Sequence, residues 1–306
     1  MPKMHIEKSI SIDAPVDKVF KVLNDYNTWS TWSPWLIMEP DAEVKVEEGG
    51  KAYSWNGKLV GSGEMKMTAE DVNKSLHMDL TFLTPWKSQA KVWFEFESDG
   101  DKTKVTWFMD SSLPFFLFWM KKMMTAFVGM DYDRGLSMLK DYLETGSVPS
   151  KLDNDGVKDF PGCHYLGIET ECAISDVGTA MEADFGKLHQ WSSDHQEDIA
   201  GEPFSIYHKW DMVKGKVRYT AGIPVKEDKD VPEGCVTGDI PNLKTYDITH
   251  TGPYKHLGNA WSSGMTQQRG KVFKSSKKFH PFETYGNDPG KVDEKDLVTT
   301  IHFPVK

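Results

Sequence analysis

The stretch PFETYGNDPGKVDEKDLVTTIHFPV, residues 281–305, decides how the second half of the chain folds. Two strand-like runs flank a polar turn, and the side chains of a strand alternate between its two faces. Glu283 and Tyr285 therefore share one face of the first run, while Phe282 and Thr284 share the other. A carboxylate beside an aromatic ring is an unusual pair for the inner face of a strand, so Glu283 and Tyr285 are the first candidate site residues.

An earlier stretch, PFSIYHKWDMVKGKVRYTAGIPV at residues 203–225, repeats this pattern. Each copy opens with Pro-Phe, has a tyrosine at its fifth position and closes with Pro-Val. A duplication of this length predicts two strand–helix–strand–strand units that pack face to face, with a concave cleft between them where a ligand can bind. The repeat also continues upstream, where Phe185, Leu188, Trp191, Ser192 and Ser193 echo Tyr254, Leu257, Trp261, Ser262 and Ser263.

The two copies differ at Glu283, which is replaced by Ser205 in the first copy. A single carboxylate in a pseudo-symmetric cleft indicates a ligand site more strongly than two carboxylates on a surface would. The repeat surrounds this carboxylate with aromatic residues, although it does not fix whether the last two of the set face the cleft. The candidate ligand-binding residues are Glu283, Tyr285, Trp261, Tyr254, Tyr207, Trp191 and Trp210.

A carboxylate among aromatic rings can bind a flat, cationic, amphipathic molecule, because the rings offer cation–π faces and the carboxylate supplies the opposite charge. Burial should also raise the pKa of Glu283. A glutamate kept partly protonated near neutral pH can instead act as a general acid, or as a base toward water, with Tyr285 donating a hydrogen bond. A third interpretation is structural: Glu283 accepts backbone or tyrosine hydrogen bonds at a strand end.

The second half of the chain resembles the GyrI-like domain, also called the AraC-type effector-binding domain. The resemblance rests on Glu283 two residues before Tyr285, on the turn at 287–289 (Asn-Asp-Pro) and on the closing residues 303–305 (Phe-Pro-Val). It implies a small-molecule-binding domain. Some GyrI-like proteins resemble hydrolases of reactive cyclopropane-bearing compounds, and in many relatives the domain is fused to a helix-turn-helix DNA reader.

Residues 1–150 have a different order of elements. Residues 6–12 alternate as a strand, a short helix follows, and several runs such as 76–82 alternate between apolar and polar residues. This pattern is typical of an antiparallel sheet with one buried face. A long helix over about 115–144 is predicted to close the region.

This order resembles the START-like, or polyketide-cyclase-like, superfamily, and the stretch from Asp13-Ala14-Pro15 to Trp32-Ser33-Pro34-Trp35 is similar to its N-terminal signature. The resemblance implies a helix-grip fold, in which the sheet wraps around the long C-terminal helix and often leaves an apolar cavity. The sequence leaves open whether bulky residues line this cavity or fill it. The candidate cavity residues are Trp32, Trp35, Tyr53, Trp55, Phe94, Trp107, Met124 and Phe127.

The sequence thus predicts an α+β protein with a START-like domain at 1–146 and a GyrI-like domain at 160–306. The residues between them, 147–159, are mostly polar and include a proline and a glycine, which is typical of a linker. Residues 231–241 are interpreted as a connector within the second domain.

The longest apolar run is LPFFLFWM at residues 113–120, far shorter than the ~20 residues that span a bilayer. We interpret it as a buried segment that leads into the long helix. A patch on a lipid surface is the alternative.

Composition and motifs exclude several classes of function. The net charge is −10 and both halves are acidic, so neither half is a basic nucleic-acid module. The three cysteines lack C-x-x-C spacing. His189 and His195 are six residues apart, as are His250 and His256. On a helix, two side chains at this spacing do not lie on the same face. We therefore predict no metal site, and no cofactor motif such as a P-loop is found.

We expect a cytoplasmic protein without a transmembrane segment, because no signal peptide opens the chain. Three functions stay open. The first is binding of hydrophobic or aromatic compounds, cationic ones included, in order to sense or sequester them, without direct nucleic-acid contact. The second is detoxifying hydrolysis of reactive electrophiles by Glu283 with Tyr285. The third is an adaptor whose domains bind other proteins, and the sequence does not fix the oligomeric state.

Overall fold

The computed structural model describes residues 3–113, 115–226 and 231–306. The chain divides into two compact units, Met1–Pro149 and Ser150–Lys306, which are called the N-terminal and C-terminal domains below. Each domain has its own antiparallel sheet. The predicted α+β class is therefore confirmed.

The N-terminal domain is a seven-stranded antiparallel sheet in the order β1-β7-β6-β5-β4-β3-β2, with a long helix that packs against β1. Its buried residues alternate along the strands as predicted: Leu76, Met78 and Leu80 lie in the core of the domain. The strands are β1 (Lys3–Ile12), β2 (Glu43–Val46), β3 (Ala52–Asn56), β4 (Ser62–Asp71), β5 (Ser75–Thr84), β6 (Ser88–Asp99) and β7 (Lys102–Ser112), and the helices are α1 (Val16–Leu23), α2 (Trp29–Trp32) and α3 (Lys121–Thr145).

The predicted long helix is confirmed as α3, although it begins later than expected. Residues Phe115–Met120 form a 3₁₀ segment, and α3 runs from Lys121 until Gly146 ends it in the left-handed conformation. Our interpretation of the apolar run as buried is wrong for Phe116, Phe118 and Trp119, which are all exposed. Pro114 lies outside the described residues.

The C-terminal domain is an eight-stranded antiparallel sheet in the order β12-β9-β11-β10-β14-β15-β13-β8. The predicted duplication is visible as two strand–helix–strand–strand units, β9-α4-β10-β11 and β13-α5-β14-β15, which meet where β10 pairs with β14. The units therefore join edge to edge within one sheet, and the prediction that they pack face to face is wrong. The strands are β8 (Lys151–Phe160), β9 (Cys163–Ala173), β10 (Phe204–Asp211), β11 (Lys216–Pro224), β12 (Val236–Ile240), β13 (Leu243–Thr251), β14 (Phe282–Tyr285) and β15 (Val298–Pro304), and the helices are α4 (Val177–Asp194) and α5 (Gly258–Arg269).

The linker predicted at 147–159 needs correction, because residues 151–160 form strand β8 of the C-terminal sheet. Likewise the predicted connector at 231–241 contains strand β12. Both are edge strands with mostly exposed side chains, so their sequences lack the apolar alternation by which strands are recognised.

The two edge strands are exchanged between the units. β8 is followed in the chain by β9 but pairs with β13, and β12 is followed by β13 but pairs with β9. Each connection is only two residues long, at 161–162 and 241–242, so the sheet has to curl until its edges approach. Gly162 marks this contact: a Cβ atom there would lie 2.6 Å from the carbonyl oxygen of Ile240.

Substitution Gly162→Ala should destabilise the C-terminal domain by roughly 2 kcal/mol or more, because Gly162 has φ +79° and no space for a Cβ atom. Gly186→Ala, inside α4 with nothing within 4 Å of the new Cβ, is the control and should stabilise by up to about 1 kcal/mol. Urea unfolding of both variants measures the difference. Equal stability of the two variants would contradict the curled sheet.

The histidine at position 250 provides a pH-dependent stability test. His250 on β13 is fully buried, with its Nε2 atom 3.0 Å from Ser150 Oγ. Burial, together with neighbouring His256, lowers the pKa of His250 from 6.5 to about 4. The folded domain therefore favours neutral His250, so this stabilisation is complete above pH 6.5 and is lost as pH falls toward 4.

We expect acidification from pH 7 to pH 4 to cost the wild type about 3 kcal/mol more unfolding free energy than it costs His250→Asn. Urea titrations at both pH values measure this difference for the C-terminal domain. His189→Gln, at an exposed position of α4, is the control and should retain the wild-type pH dependence. Identical pH dependence in wild type and His250→Asn would show that His250 is not buried in its neutral form.

Candidate functional site

Glu283 lies in the middle of the C-terminal sheet, where the two repeats meet. It sits on β14 directly opposite Ser205 of β10 and Ile301 of β15. Its exposure is only 1% of that of a free residue. The position that distinguishes the two copies therefore lies next to its own counterpart, Ser205, across one strand pair.

Three neutral donors bind the Glu283 carboxylate. The hydroxyl groups of Tyr207 and Tyr285 donate to Oε1 at 2.8 and 2.6 Å, and the indole Nε1–H of Trp261 donates to Oε2 at 2.9 Å. Tyr207 and Tyr285 occupy equivalent positions of the two repeats, so the duplication directs one tyrosine from each copy at the same oxygen. Ser205 completes the network, because its Oγ lies 2.9 Å from the Tyr285 hydroxyl oxygen.

The carboxylate has no counter-charge: no lysine or arginine of the described residues lies within ion-pair distance of Glu283. Burial raises the pKa of Glu283, and the three hydrogen bonds only partly oppose this shift. Burial and the charge of Glu283 also raise the pKa of Tyr207 and that of Tyr285 well above the usual value. Both tyrosines therefore act as hydrogen-bond donors and not as bases.

Aromatic rings surround this hydrogen-bonded centre on two sides. On one side Tyr207 contacts Trp261 at 5.0 Å and Trp210 at 5.5 Å between ring centroids. On the other side Tyr285 contacts Tyr254 at 5.8 Å. Tyr254 and Trp210 are 40% and 43% exposed, so the outer rings of the site are open to solvent while the carboxylate behind them is not.

The structure brings together six of the seven candidate ligand-binding residues. Trp191 differs from the rest: its ring stacks on His195 at 4.2 Å, and it packs against the core formed by β9, β11 and α4. Its equivalent, Trp261, reaches a carboxylate, whereas the counterpart of that carboxylate in the first copy is Ser205.

Besides Ser205, two side chains of the site were not among the candidate residues predicted from the sequence. Phe185 contacts the Tyr285 ring at 5.3 Å, and the Met181 sulfur lies 4.0 Å from the Tyr207 hydroxyl. The repeat already contained a signal for Phe185, since it aligns with Tyr254. Met181 has no aligned aromatic partner, and a lone methionine in a helix is usually a core residue.

In the N-terminal domain, six of the eight candidate cavity residues, all except Met124 and Phe127, form part of one aromatic cluster. Trp107 stacks on Tyr132 at 3.8 Å and on Phe94 at 5.0 Å, and it meets Trp32 and Trp35 edge-on. Tyr53 and Trp55 contact each other at 5.6 Å. Met124 packs against the same core, and Phe127 is half-buried on α3.

Trp29, which was not among the candidate cavity residues, connects these two groups, because its ring lies 5.9 Å from Tyr53 and 5.8 Å from Trp107. Three buried polar atoms around Trp29 have no hydrogen-bond partner among the described residues, namely the Tyr26 hydroxyl and the indole nitrogens of Trp32 and Trp107. Unpaired buried donors are uncommon, and each costs about 1–3 kcal/mol unless water or a ligand accepts the bond.

Each of the two domains matches a protein family. Residues 3–144 match the family described as polyketide cyclase / dehydrase and lipid transport. Residues 157–306 match the GyrI-like small molecule binding domain. The chain is a START-like domain followed by a GyrI-like domain. Both resemblances predicted from the sequence are thereby confirmed, and small-molecule binding is the property that the two families support in general.

The similar solved structures are less than 25% identical in sequence to this chain. A cryo-EM structure of the EcmrR–DNA complex is 16% identical, with a TM-score of 0.42, and the match covers 61% of this chain and 69% of that one. The crystal structure of the EcmrR C-terminal domain is 18% identical, with a TM-score of 0.40, covering 51% and 98%. The Aha1 dimer from Colwellia psychrerythraea is 21% identical, with a TM-score of 0.36, covering 47% and 98%. No curated protein sequence matches the chain.

Among the described residues, none of the helices combines the length and the apolar composition that crossing a bilayer requires.

The pKa of Glu283 predicts how its replacement affects stability. A carboxyl group whose pKa is higher in the folded than in the unfolded protein stabilises the fold below pH 4.5, its ordinary value, and loses this contribution as pH rises through the folded value. Glu283→Gln should therefore gain stability relative to the wild type as pH rises from 4.5 to 7. Thermal melts of both proteins across this range measure the change.

Glu182→Gln, an exposed carboxylate on α4, is the matched control and should follow the wild type. If the wild type instead gained stability over Glu283→Gln with rising pH, the hydrogen bonds would outweigh burial and the site would favour the ionised form.

Proposed function

We propose that this chain is a cytoplasmic small-molecule-binding protein. Its GyrI-like domain binds hydrophobic or aromatic compounds, cationic ones in particular, at the Glu283 site, and thereby senses or sequesters them. The observation that carries this proposal is a buried carboxylate, without a counter-cation among the described residues, behind partly exposed aromatic rings.

The charge balance of the site favours a cationic ligand. A buried carboxylate is costly unless it is both paired and hydrogen-bonded. Tyr207, Tyr285 and Trp261 supply the hydrogen bonds but no charge. A bound cation would supply it, and the same rings would offer cation–π faces to the ligand.

The arrangement also suggests how the ligand reaches the carboxylate. Tyr254 and Trp210 are exposed and would meet a flat aromatic compound first. Glu283 Oε1 accepts two hydrogen bonds, one from Tyr207 and one from Tyr285. One tyrosine can therefore swing away while the other keeps the carboxylate oriented, so ligand entry need not strip Glu283 of all its partners.

A second candidate function is the hydrolysis of reactive electrophiles. The Tyr285 hydroxyl lies 2.6 Å from Glu283, whose raised pKa suits a general acid or base. As a base, Glu283 would take a proton from a water molecule while the water oxygen bonds to the electrophilic carbon of the ligand. The bond between that carbon and its leaving atom would break, and the leaving atom would receive the proton from Glu283. Turnover that Glu283→Gln abolishes would favour this function, and binding without turnover would favour the first one.

The N-terminal domain is proposed to hold a second ligand in its aromatic interior. The unpaired donors on Tyr26, Trp32 and Trp107 favour a largely apolar molecule that carries at least one hydrogen-bond acceptor. This site and the Glu283 site belong to different domains, so each can be tested separately with its own ligands and its own variants.

A thermal-shift screen tests the main proposal. Cationic aromatic compounds at about 100 times their Kd should stabilise the wild type by roughly 2.7 kcal/mol, which raises the melting temperature by several degrees. Glu283→Gln should lose most of this stabilisation, because the ligand's charge then has no partner. Glu182→Gln should respond as the wild type does.

Neutral lipids, screened in parallel, report on the N-terminal site. If only neutral lipids stabilise the protein, and they act equally on wild type and Glu283→Gln, the proposal for the Glu283 site is wrong and the N-terminal domain carries the binding function.

A further inference from the structure

One end of the N-terminal sheet presents large apolar side chains to solvent. Phe116 is 73%, Phe118 61% and Trp119 67% exposed, all in the 3₁₀ segment between β7 and α3. Single exposed apolar residues are ordinary on protein surfaces, but three within four positions are not.

A second exposed segment lies at the same end of the sheet. Leu83, near the end of β5, and Trp86, in the turn between β5 and β6, are 43% and 49% exposed. β6 pairs with β7 so that Ala90 faces Ser111, which brings the start of β6 level with residue 113. The turn and the 3₁₀ segment therefore adjoin, and Leu83, Trp86, Phe116, Phe118 and Trp119 are together called the aromatic rim.

The two chain segments that carry the aromatic rim are basic, although the whole chain is acidic. Lys87, Lys121 and Lys122 are exposed, and none of them pairs with a carboxylate of the described residues. The sequence has no Asp or Glu at 80–94 or at 111–130, although the chain carries a net charge of −10. The nearest carboxylate along β7, Asp110, is bound to His5 at 2.7 Å.

We propose that the aromatic rim docks on the anionic surface of a lipid bilayer. Tryptophan and phenylalanine insert at the level of the headgroups, and flanking lysines gain from the negative potential of the surface. The rest of the acidic chain is repelled by the same surface, so the rim also fixes the orientation of docking. Docking in this way would bring the N-terminal domain to a source of apolar ligands.

Charge also argues for a bilayer over a second copy of the chain as the occupant of the rim. A two-fold dimer through this surface would place identical patches against each other. Lys121 and Lys122 of one copy would then face the basic side chains of the other, without carboxylates to pair with them. An anionic bilayer satisfies both the apolar and the basic residues.

Vesicle sedimentation with the full chain tests this proposal. The wild type should bind vesicles of mixed phosphatidylcholine and phosphatidylserine and should bind pure phosphatidylcholine vesicles far more weakly. The double variant Phe116→Ser/Trp119→Ser should lower the partition coefficient at least roughly 10-fold. Lys121→Gln and Lys122→Gln should each lower it about 5-fold, and added salt should weaken binding.

Matched controls come from the opposite end of the same sheet and from the other domain. Val72→Ser removes an exposed apolar side chain, 63% exposed, from the turn between β4 and β5 and should bind vesicles as the wild type does. Glu283→Gln should also bind as the wild type does, so this result does not depend on the proposed ligand site. Circular dichroism confirms that each variant is folded.

Two results would overturn the proposal. One is wild-type protein that stays in the supernatant with anionic vesicles, or sediments equally well after Phe116→Ser/Trp119→Ser. The other is a dimer of the wild type that this double variant converts to a monomer in size-exclusion chromatography, which would identify the rim as a contact between copies.

Discussion

A single buried carboxylate without a counter-charge among the described residues is the constraint on which the C-terminal site depends. Glu283 is almost completely removed from solvent, and three neutral donors hold both of its oxygens. Hydrogen bonds of this kind offset part of the desolvation cost but leave the charge unbalanced. The domain thus keeps an arrangement that is costly when empty and that a cation would stabilise, which is typical of a functional site rather than of a core.

The duplicated fold explains how this arrangement is built. Pairing of β10 with β14 puts equivalent residues of the two repeats side by side, so Tyr207 and Tyr285 approach the same point from both copies. Replacement of one equivalent carboxylate position by Ser205 breaks the symmetry and leaves room for a single charge. The exchanged edge strands β8 and β12 then join the two repeats into one curled sheet, which holds the tyrosines in place.

Much of this could be predicted from the sequence, because the decisive residues follow strong periodic patterns. Alternation predicts that Glu283 and Tyr285 share one face, and the repeat adds Tyr207 and Trp261 to the same site; the hydrogen bonds of Glu283 agree with both. Periodicity does not identify strands whose side chains are mostly exposed. β8 and β12 are polar edge strands of this kind, so most of β8 falls within the predicted linker, 147–159. Periodicity failed in the opposite sense at residues 116–119, where an apolar sequence suggested a core segment but the side chains are exposed. Trp191 could not be assigned either, because the repeat does not fix which way it faces; its ring stacks on His195.

The measurement that tests the central claim most directly is a thermodynamic cycle between the charge of the ligand and that of Glu283. Calorimetry would compare a cationic aromatic compound and its neutral isostere, each with wild type and Glu283→Gln, at neutral pH. If Glu283 is the counter-charge, the cation should lose about 2 kcal/mol more than the isostere on substitution, a roughly 30-fold difference in Kd. Equal losses for both compounds would mean that Glu283 only supports the packing of the tyrosines, and its role as the counter-charge of a cationic ligand would be refuted.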